Sequence, residues 1–64
     1  MLKLSRKVGQ RIYVYPKEGT EDMTVGEFFA GGQVCIELSE LKGTSAKIGI
    51  DATENLTITR EELE

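Results

Sequence analysis

The segment Leu56–Glu62, Leu-Thr-Ile-Thr-Arg-Glu-Glu, alternates apolar and polar residues and therefore predicts a β-strand. Leu56, Ile58 and Arg60 share one face of that strand, and the two threonines lie on the other. A guanidinium thus ends an otherwise apolar strand face. An arginine in that position can hold a planar, acceptor-rich ligand such as a base edge or a phosphate. The alternative is purely structural, with Arg60 pairing to a carboxylate of a neighbouring strand or covering the sheet edge.

The chain is short and carries few groups that perform chemistry. Its 64 residues allow one domain, and its 39% of hydrophobic residues supply a small core, so we expect oligomerisation to add stability. There is no histidine, and Cys35 is the single cysteine, which argues against a metal site, an activated thiol and an internal disulfide. We therefore expect no catalytic residue, no metal and no cofactor.

Charge is distributed unevenly along the chain. The formal net charge of −3 argues against general binding of polyanions by the whole molecule. Residues 1–11, however, hold four basic side chains and no acid, whereas the rest of the chain is acidic in balance. This distribution favours a local anion site that depends on geometry. No signal peptide or long apolar run is visible, so we expect a soluble, cytoplasmic protein.

Four further strands are predicted from the alternation of apolar and polar residues. They cover residues 2–7, 11–15, 34–41 and 45–51. The first resembles the segment quoted above, because its apolar face also ends in an arginine, Arg6. In the third, Leu41 falls out of step with the alternation, which predicts a β-bulge near Ser39–Glu40.

The stretch between residues 16 and 33 interrupts the β pattern. Thr24 and Glu27 have the spacing of a capping box, and a glycine pair follows, so we predict a helix over about residues 21–30. A helix this short must pack against the sheet to persist. The alternative is a loop whose Phe28-Phe29 pair fills an edge of the core.

Motifs at both ends of the chain resemble the carbon storage regulators, the CsrA/RsmA family. Residues 1–10, Met-Leu-Lys-Leu-Ser-Arg-Lys-Val-Gly-Gln, are similar to the opening of that family. Residues 47–52, Lys-Ile-Gly-Ile-Asp-Ala, resemble its Arg-Ile-Gly-Val-x-Ala strand, and residues 58–63, Ile-Thr-Arg-Glu-Glu-Leu, resemble its Val-x-Arg-Glu-Glu-Ile ending. Each motif alone is weak, but their order within so short a chain is specific.

The resemblance implies a mainly β fold in which small five-stranded protomers form an intertwined homodimer, here with one short inserted α-helix. Residues 1–64 would form a single RNA-binding domain, with the insertion at about residues 16–32. In the family, the first strand of one subunit lies beside the last strand of the other, and their ends form two RNA sites. The residues that this sequence carries over for RNA binding are Leu4, Arg6, Lys7, Ile58 and Arg60.

The function implied by the resemblance is post-transcriptional regulation. Such a protein binds a GGA core in single-stranded or hairpin-loop messenger RNA near ribosome-binding sites, and represses translation or alters transcript stability. Regulatory small RNAs with GGA motifs are further implied partners. The rival hypothesis is a protein-interaction module that pairs with or antagonises a sibling regulator without useful RNA affinity. The acidic net charge and the acidic insertion motivate that rival.

The sequence departs from the family pattern at several points. Gln10 stands where the family has a glutamate, and Lys7 stands where an arginine is usual, which keeps the charge but loses the planar fork. The inserted segment resembles that of the divergent RsmN/RsmF-like branch in position, but it is shorter and more acidic. Because that branch exchanges its strands differently, the strand topology of the dimer stays open.

Overall fold

The computed structural model describes residues 1–63 and the side chains of residues 1–62, so Glu64, the last residue of the predicted domain, lies outside the described part. The elements are β1 (Leu2–Lys7), β2 (Ile12–Pro16), α1 (Val25–Phe28), β3 (Cys35–Lys42), β4 (Ser45–Asp51), β5 (Leu56–Arg60) and a 3-10 turn, η1 (Glu61–Leu63). The prediction of a mainly β chain with five strands and one short helix is confirmed. No helix within residues 1–63 is long and apolar enough to cross a membrane.

The strands form two antiparallel sheets, a three-stranded sheet in the order β1-β4-β3 and a two-stranded sheet of β2 and β5. Residues that stand opposite each other in an antiparallel pair share a face of the sheet. The register therefore gives the three-stranded sheet one continuous apolar face, with Arg6 at its corner. We call this the apolar face, and its members are Leu2, Leu4, Ile36, Leu38, Leu41, Ala46, Ile48 and Ile50.

A β-bulge in β3 keeps the apolar face continuous. Leu38 lies opposite Ile48 and Glu40 lies opposite Lys47, so Ser39 is the extra residue. Its Oγ donates a hydrogen bond to the Lys47 carbonyl at 3.2 Å. The extra residue shifts the alternation by one position and returns the next apolar side chain of β3 to the apolar face. The bulge predicted near Ser39–Glu40 is confirmed.

Much of the apolar face is left uncovered within one chain. Ile50, at 3% exposure, is the only buried hydrophobic residue among the described side chains, whereas Ile36, Leu38 and Leu41 are 66%, 59% and 71% exposed. Residues of β1 and β4 in the three-stranded sheet and of β5 in the two-stranded sheet line an open cavity of about 270 Å³. The radius of gyration, 13.4 Å, also exceeds the roughly 11 Å typical of a compact domain of this length.

The helix α1 is shorter than predicted. It spans Val25–Phe28, a single turn, instead of about residues 21–30. Thr24 has extended backbone angles and caps the helix. Because a cap residue lies outside the helix, the residues before Thr24 are not helical and form turns instead. The predicted capping box is present: the Glu27 amide donates to Thr24 Oγ1 at 3.1 Å, and the Thr24 amide donates to Glu27 Oε1 at 2.8 Å.

The helix is attached to the loop between β4 and β5. Asn55 Nδ2 donates a hydrogen bond to the Phe28 carbonyl at 3.0 Å. The Phe28 and Phe29 rings pack edge to face, with centroids 4.9 Å apart, but Phe29 stays 40% exposed. The segment over residues 16–32 therefore leaves much of the apolar surface of its own chain exposed.

Strands β2 and β3 each begin and end one residue later than predicted. The second predicted strand ends at residue 15, yet Pro16 is the last residue of β2 and lies opposite Leu56. A terminal position tolerates proline, because its missing N–H costs the ladder little there. Strand β5 ends at Arg60, as the predicted apolar strand face does, and Glu61 enters η1.

Candidate functional site

A single carboxylate joins the ends of β1 and β5. Arg6 Nη2 lies 2.7 Å from Glu62 Oε1, and Arg6 Nη1 donates to Glu62 Oε2 at 3.1 Å, which makes a bidentate pair. Arg60 Nε lies 3.4 Å from the same Glu62 Oε1. Glu62 lies in the turn η1, which begins directly after β5. We call Arg6, Glu62 and Arg60 the arginine–glutamate cluster.

Arg6 is fully engaged inside the protein. The residue is 7% exposed, and its Nε donates to the Ser5 carbonyl at 2.9 Å while Nη1 also donates to the Arg11 carbonyl at 3.1 Å. The hydrogen bond to Glu62 raises the pKa of Arg6 above its usual value. Arg6 therefore fastens the end of β1 to η1 and to the start of β2.

Glu62 is held in its ionised form by the same contacts. The hydrogen bond from Arg6 is the main cause that lowers the pKa of Glu62 to about 2, and the nearby charge of Arg60 lowers it further. Two adjacent acids after a strand, such as Glu61-Glu62, predict a solvated strand end, but Glu62 is instead paired with the buried Arg6. The sequence could indicate a contact between Glu62 and Arg60, because the two residues are two positions apart. The bidentate pair with Arg6 depends on tertiary structure and could not be predicted.

Arg60 differs from Arg6 in its exposure. Its side chain is 44% exposed, and the atom pair that joins it to Glu62 is Nε with Oε1, 3.4 Å apart. Within residues 1–63, the contact described for the Arg60 guanidinium is this ion pair through Nε. The outer side of this guanidinium is thus available for a ligand with two adjacent acceptors, such as a guanine edge or a phosphate.

Lys7 lies next to the cluster in sequence but not in space. Successive strand residues point to opposite faces, so its side chain lies on the face opposite Arg6 and is exposed. The backbone of Lys7 closes the β1–β2 turn with Gln10: the Lys7 amide donates to Gln10 Oε1 at 2.8 Å, and the Gln10 amide donates to the Lys7 carbonyl at 3.0 Å. Gly9 allows this turn because its φ is 88°.

Leu4 and Ile58 lie behind the cluster on the two sheets. Leu4 stands opposite Ile48 in β4, and Ile58 stands opposite Val14 in β2. Both are partly exposed. Of the five predicted site residues, the structure brings Arg6 and Arg60 together through Glu62, and it places Leu4 and Ile58 two residues before them.

The cluster is formed within one chain. The family resemblance implies that the first strand of one subunit lies beside the last strand of the other. In the structure, β1 pairs with β4 and β5 pairs with β2 of the same chain, and Arg6 and Arg60 share one carboxylate.

The register also reveals a lysine-rich face that the sequence analysis did not assemble. Lys7 and Lys42 both stand opposite Ser45, and Lys3 and Lys47 share that side of the sheet. Lys47 Nζ lies 3.3 Å from Glu40 Oε2, between two exposed side chains. We call these four lysines the lysine face. Only cross-strand pairing could have shown it, because its members come from three strands.

Comparison with known families agrees with the motifs at the two ends of the chain. Residues 1–64 match the family model of CsrA, the global regulator protein family. The chain belongs to the CsrA family. No solved structure matches it. Membership makes the chain one of a family of non-enzymatic, RNA-binding regulators that act after transcription.

Residues 1–63 hold no group of three or more histidine, cysteine, aspartate or glutamate side chains that could bind a metal ion.

Proposed function

We propose that this protein binds a GGA core in single-stranded or hairpin-loop messenger RNA near ribosome-binding sites, and thereby represses translation or alters transcript stability. The observation that carries the proposal is the exposed guanidinium fork of Arg60 at the end of β5. Arginine is the side chain that most often reads guanine, through paired bonds to O6 and N7. Hairpin loops suit such a site because their base edges are accessible.

The proposed site combines several kinds of contact. Arg60 reads a guanine edge, and Leu4 and Ile58 offer apolar contact to neighbouring bases. Arg6 contributes from its buried position by fixing the end of β1 beside η1. Lys7 offers its charge to phosphates on the adjacent face. A GGA loop suits this site because the Arg60 guanidinium can bind the edge of one guanine. The small apolar surface of Leu4 and Ile58 can contact the neighbouring bases.

The protein acts as a homodimer in this proposal. Ile36, Leu38 and Leu41 form an exposed part of the apolar face on β3, which is also an edge of its sheet. Strand β2 is an edge of the other sheet. If β3 of one copy pairs with β2 of the other, the three-stranded sheet of the first copy is continued by the two-stranded sheet of the second. The dimer then has two five-stranded sheets, and their apolar faces pack together. Such pairing removes exposed edges and supplies the core that one chain lacks.

Two chains then present two arginine–glutamate clusters, so a transcript with two suitably spaced GGA motifs gains avidity. Regulatory small RNAs with repeated GGA loops would compete for the same sites. This role places the protein in the cytoplasm, where its target transcripts are translated.

A gel-shift titration with a GGA hairpin and a matched hairpin carrying CCA in the loop tests the proposal. We expect tighter binding to the GGA hairpin, and affinity that falls steadily with salt, because phosphate contacts release counterions. Equal binding of the two hairpins, or none at low salt, contradicts it. Tight, nearly salt-independent binding to a sibling regulator with no RNA binding favours the rival protein-interaction module.

A further inference from the structure

We infer that Glu62 is a positioning residue for RNA recognition: it orients Arg60 so that both Nη atoms face the RNA. The inference rests on the proposed function, because it needs Arg60 to contact RNA. It assigns a specific contribution to a carboxylate, the kind of group that ordinarily repels a polyanion.

The geometry supports this assignment through the edge of the guanidinium that Glu62 occupies. The carboxylate lies 3.4 Å from Arg60 Nε, the inner edge of the group. The outer edge, with the two Nη atoms, is the one that can make paired hydrogen bonds to a base or a phosphate. A carboxylate that competed with RNA for Arg60 would instead occupy this outer edge.

Glu62 is itself fixed in place, which a positioning residue requires. Both of its oxygens accept hydrogen bonds from Arg6, at 2.7 Å and 3.1 Å, and Arg6 is anchored on the Ser5 and Arg11 carbonyls. Arg6 thus holds Glu62 in place, and Glu62 lies within ion-pair distance of Arg60 Nε. Arg60 alone is a long side chain with many rotamers, and ordering it on binding costs affinity unless it is already held.

The sign of the effect separates positioning from simple electrostatics. Removing a negative charge near the RNA strengthens binding to every sequence if charge alone matters. Losing the anchor of Arg60 weakens binding, and it does so for the GGA hairpin in particular. From the cost of ordering one long side chain, we expect Glu62→Gln to weaken GGA binding by about two- to twelvefold.

The experiment is a double-mutant cycle read by gel shift. Affinities for the GGA and CCA hairpins are measured for the wild type, Glu62→Gln, Arg60→Ala and the double variant. Glu61→Gln is the matched control, because it removes the same charge one residue away. Thermal unfolding of each variant at the assay pH shows that it is folded at the assay temperature.

We expect Glu62→Gln to weaken GGA binding while Glu61→Gln leaves it equal or stronger, and we expect Glu62→Gln to have little further effect once Arg60 is alanine. Equal or stronger GGA binding by Glu62→Gln overturns the inference. An equal loss in the Arg60→Ala background also overturns it, because Glu62 then acts on the fold and not through Arg60. Failure of the wild type to prefer GGA is a different result, which overturns the proposed function and this inference together.

Discussion

Replacing Leu38 with serine should dissociate the proposed dimer. Leu38 is 59% exposed on β3 in the single chain. Complete burial of a leucine side chain contributes about 1.5–3 kcal/mol, so covering the exposed part contributes roughly 1–2 kcal/mol per chain. A two-fold dimer carries the residue twice, which gives about 2–4 kcal/mol in all. We therefore expect the dimer dissociation constant to rise by about 30- to 700-fold.

Sedimentation equilibrium over a range of protein concentrations measures this constant directly. Val8→Ser is the matched control, because Val8 is 87% exposed in the turn after β1 and lies outside the apolar face. The control should sediment like the wild type. A Leu38→Ser variant that dimerises as tightly as the wild type would refute the reasoning that β3 lies in the interface, and so would a wild type that stays monomeric at high concentration.

Two further predictions concern the stability of the single chain. Since the folded-state pKa of Glu62 is about 2, below the ordinary 4.5, its ion pair stabilises the fold fully above about pH 4.5 and is lost as the pH falls towards 2. The melting temperature of the wild type should thus fall more steeply over this range than that of Glu62→Gln, and parallel curves would contradict it. Thr24→Ala, which removes the helix cap, should cost about 1 kcal/mol in urea unfolding. The exposed neighbour Val25→Ala serves as its control and should change stability by less than about 0.5 kcal/mol.

The strands and the bulge could be predicted because they depend on local patterns. Alternation located all five strands to within one or two residues, and the parity break at Leu41 located the bulge that the register shows at Ser39. The capping box at Thr24 was also readable from spacing alone. The helix length could not be predicted, because the composition of residues 20–23 suits a helix start and a turn equally well. Only the extended backbone of the cap residue Thr24 decides between them.

The roles of the charged residues could not be predicted in the same way. Arg6 and Arg60 end similar apolar strand faces, yet one is buried at 7% exposure and the other has a 44% exposed side chain. Their difference comes from Glu62 in η1, because its carboxylate accepts hydrogen bonds from Arg6 at the end of β1. The lysine face could not be predicted either, because alternation alone does not say which strands are neighbours in the sheet.

Binding of the GGA hairpin by Arg60→Ala tests the central claim most directly. If Arg60 reads a guanine edge, the substitution should cost about 1–3 kcal/mol of binding, and the preference over the CCA hairpin should largely disappear. Arg60→Lys keeps the charge but not the fork, so it should retain salt-dependent binding while losing most of that preference. Unchanged affinity and unchanged preference in Arg60→Ala would contradict the account, because the exposed fork at the end of β5 would then have no part in recognition.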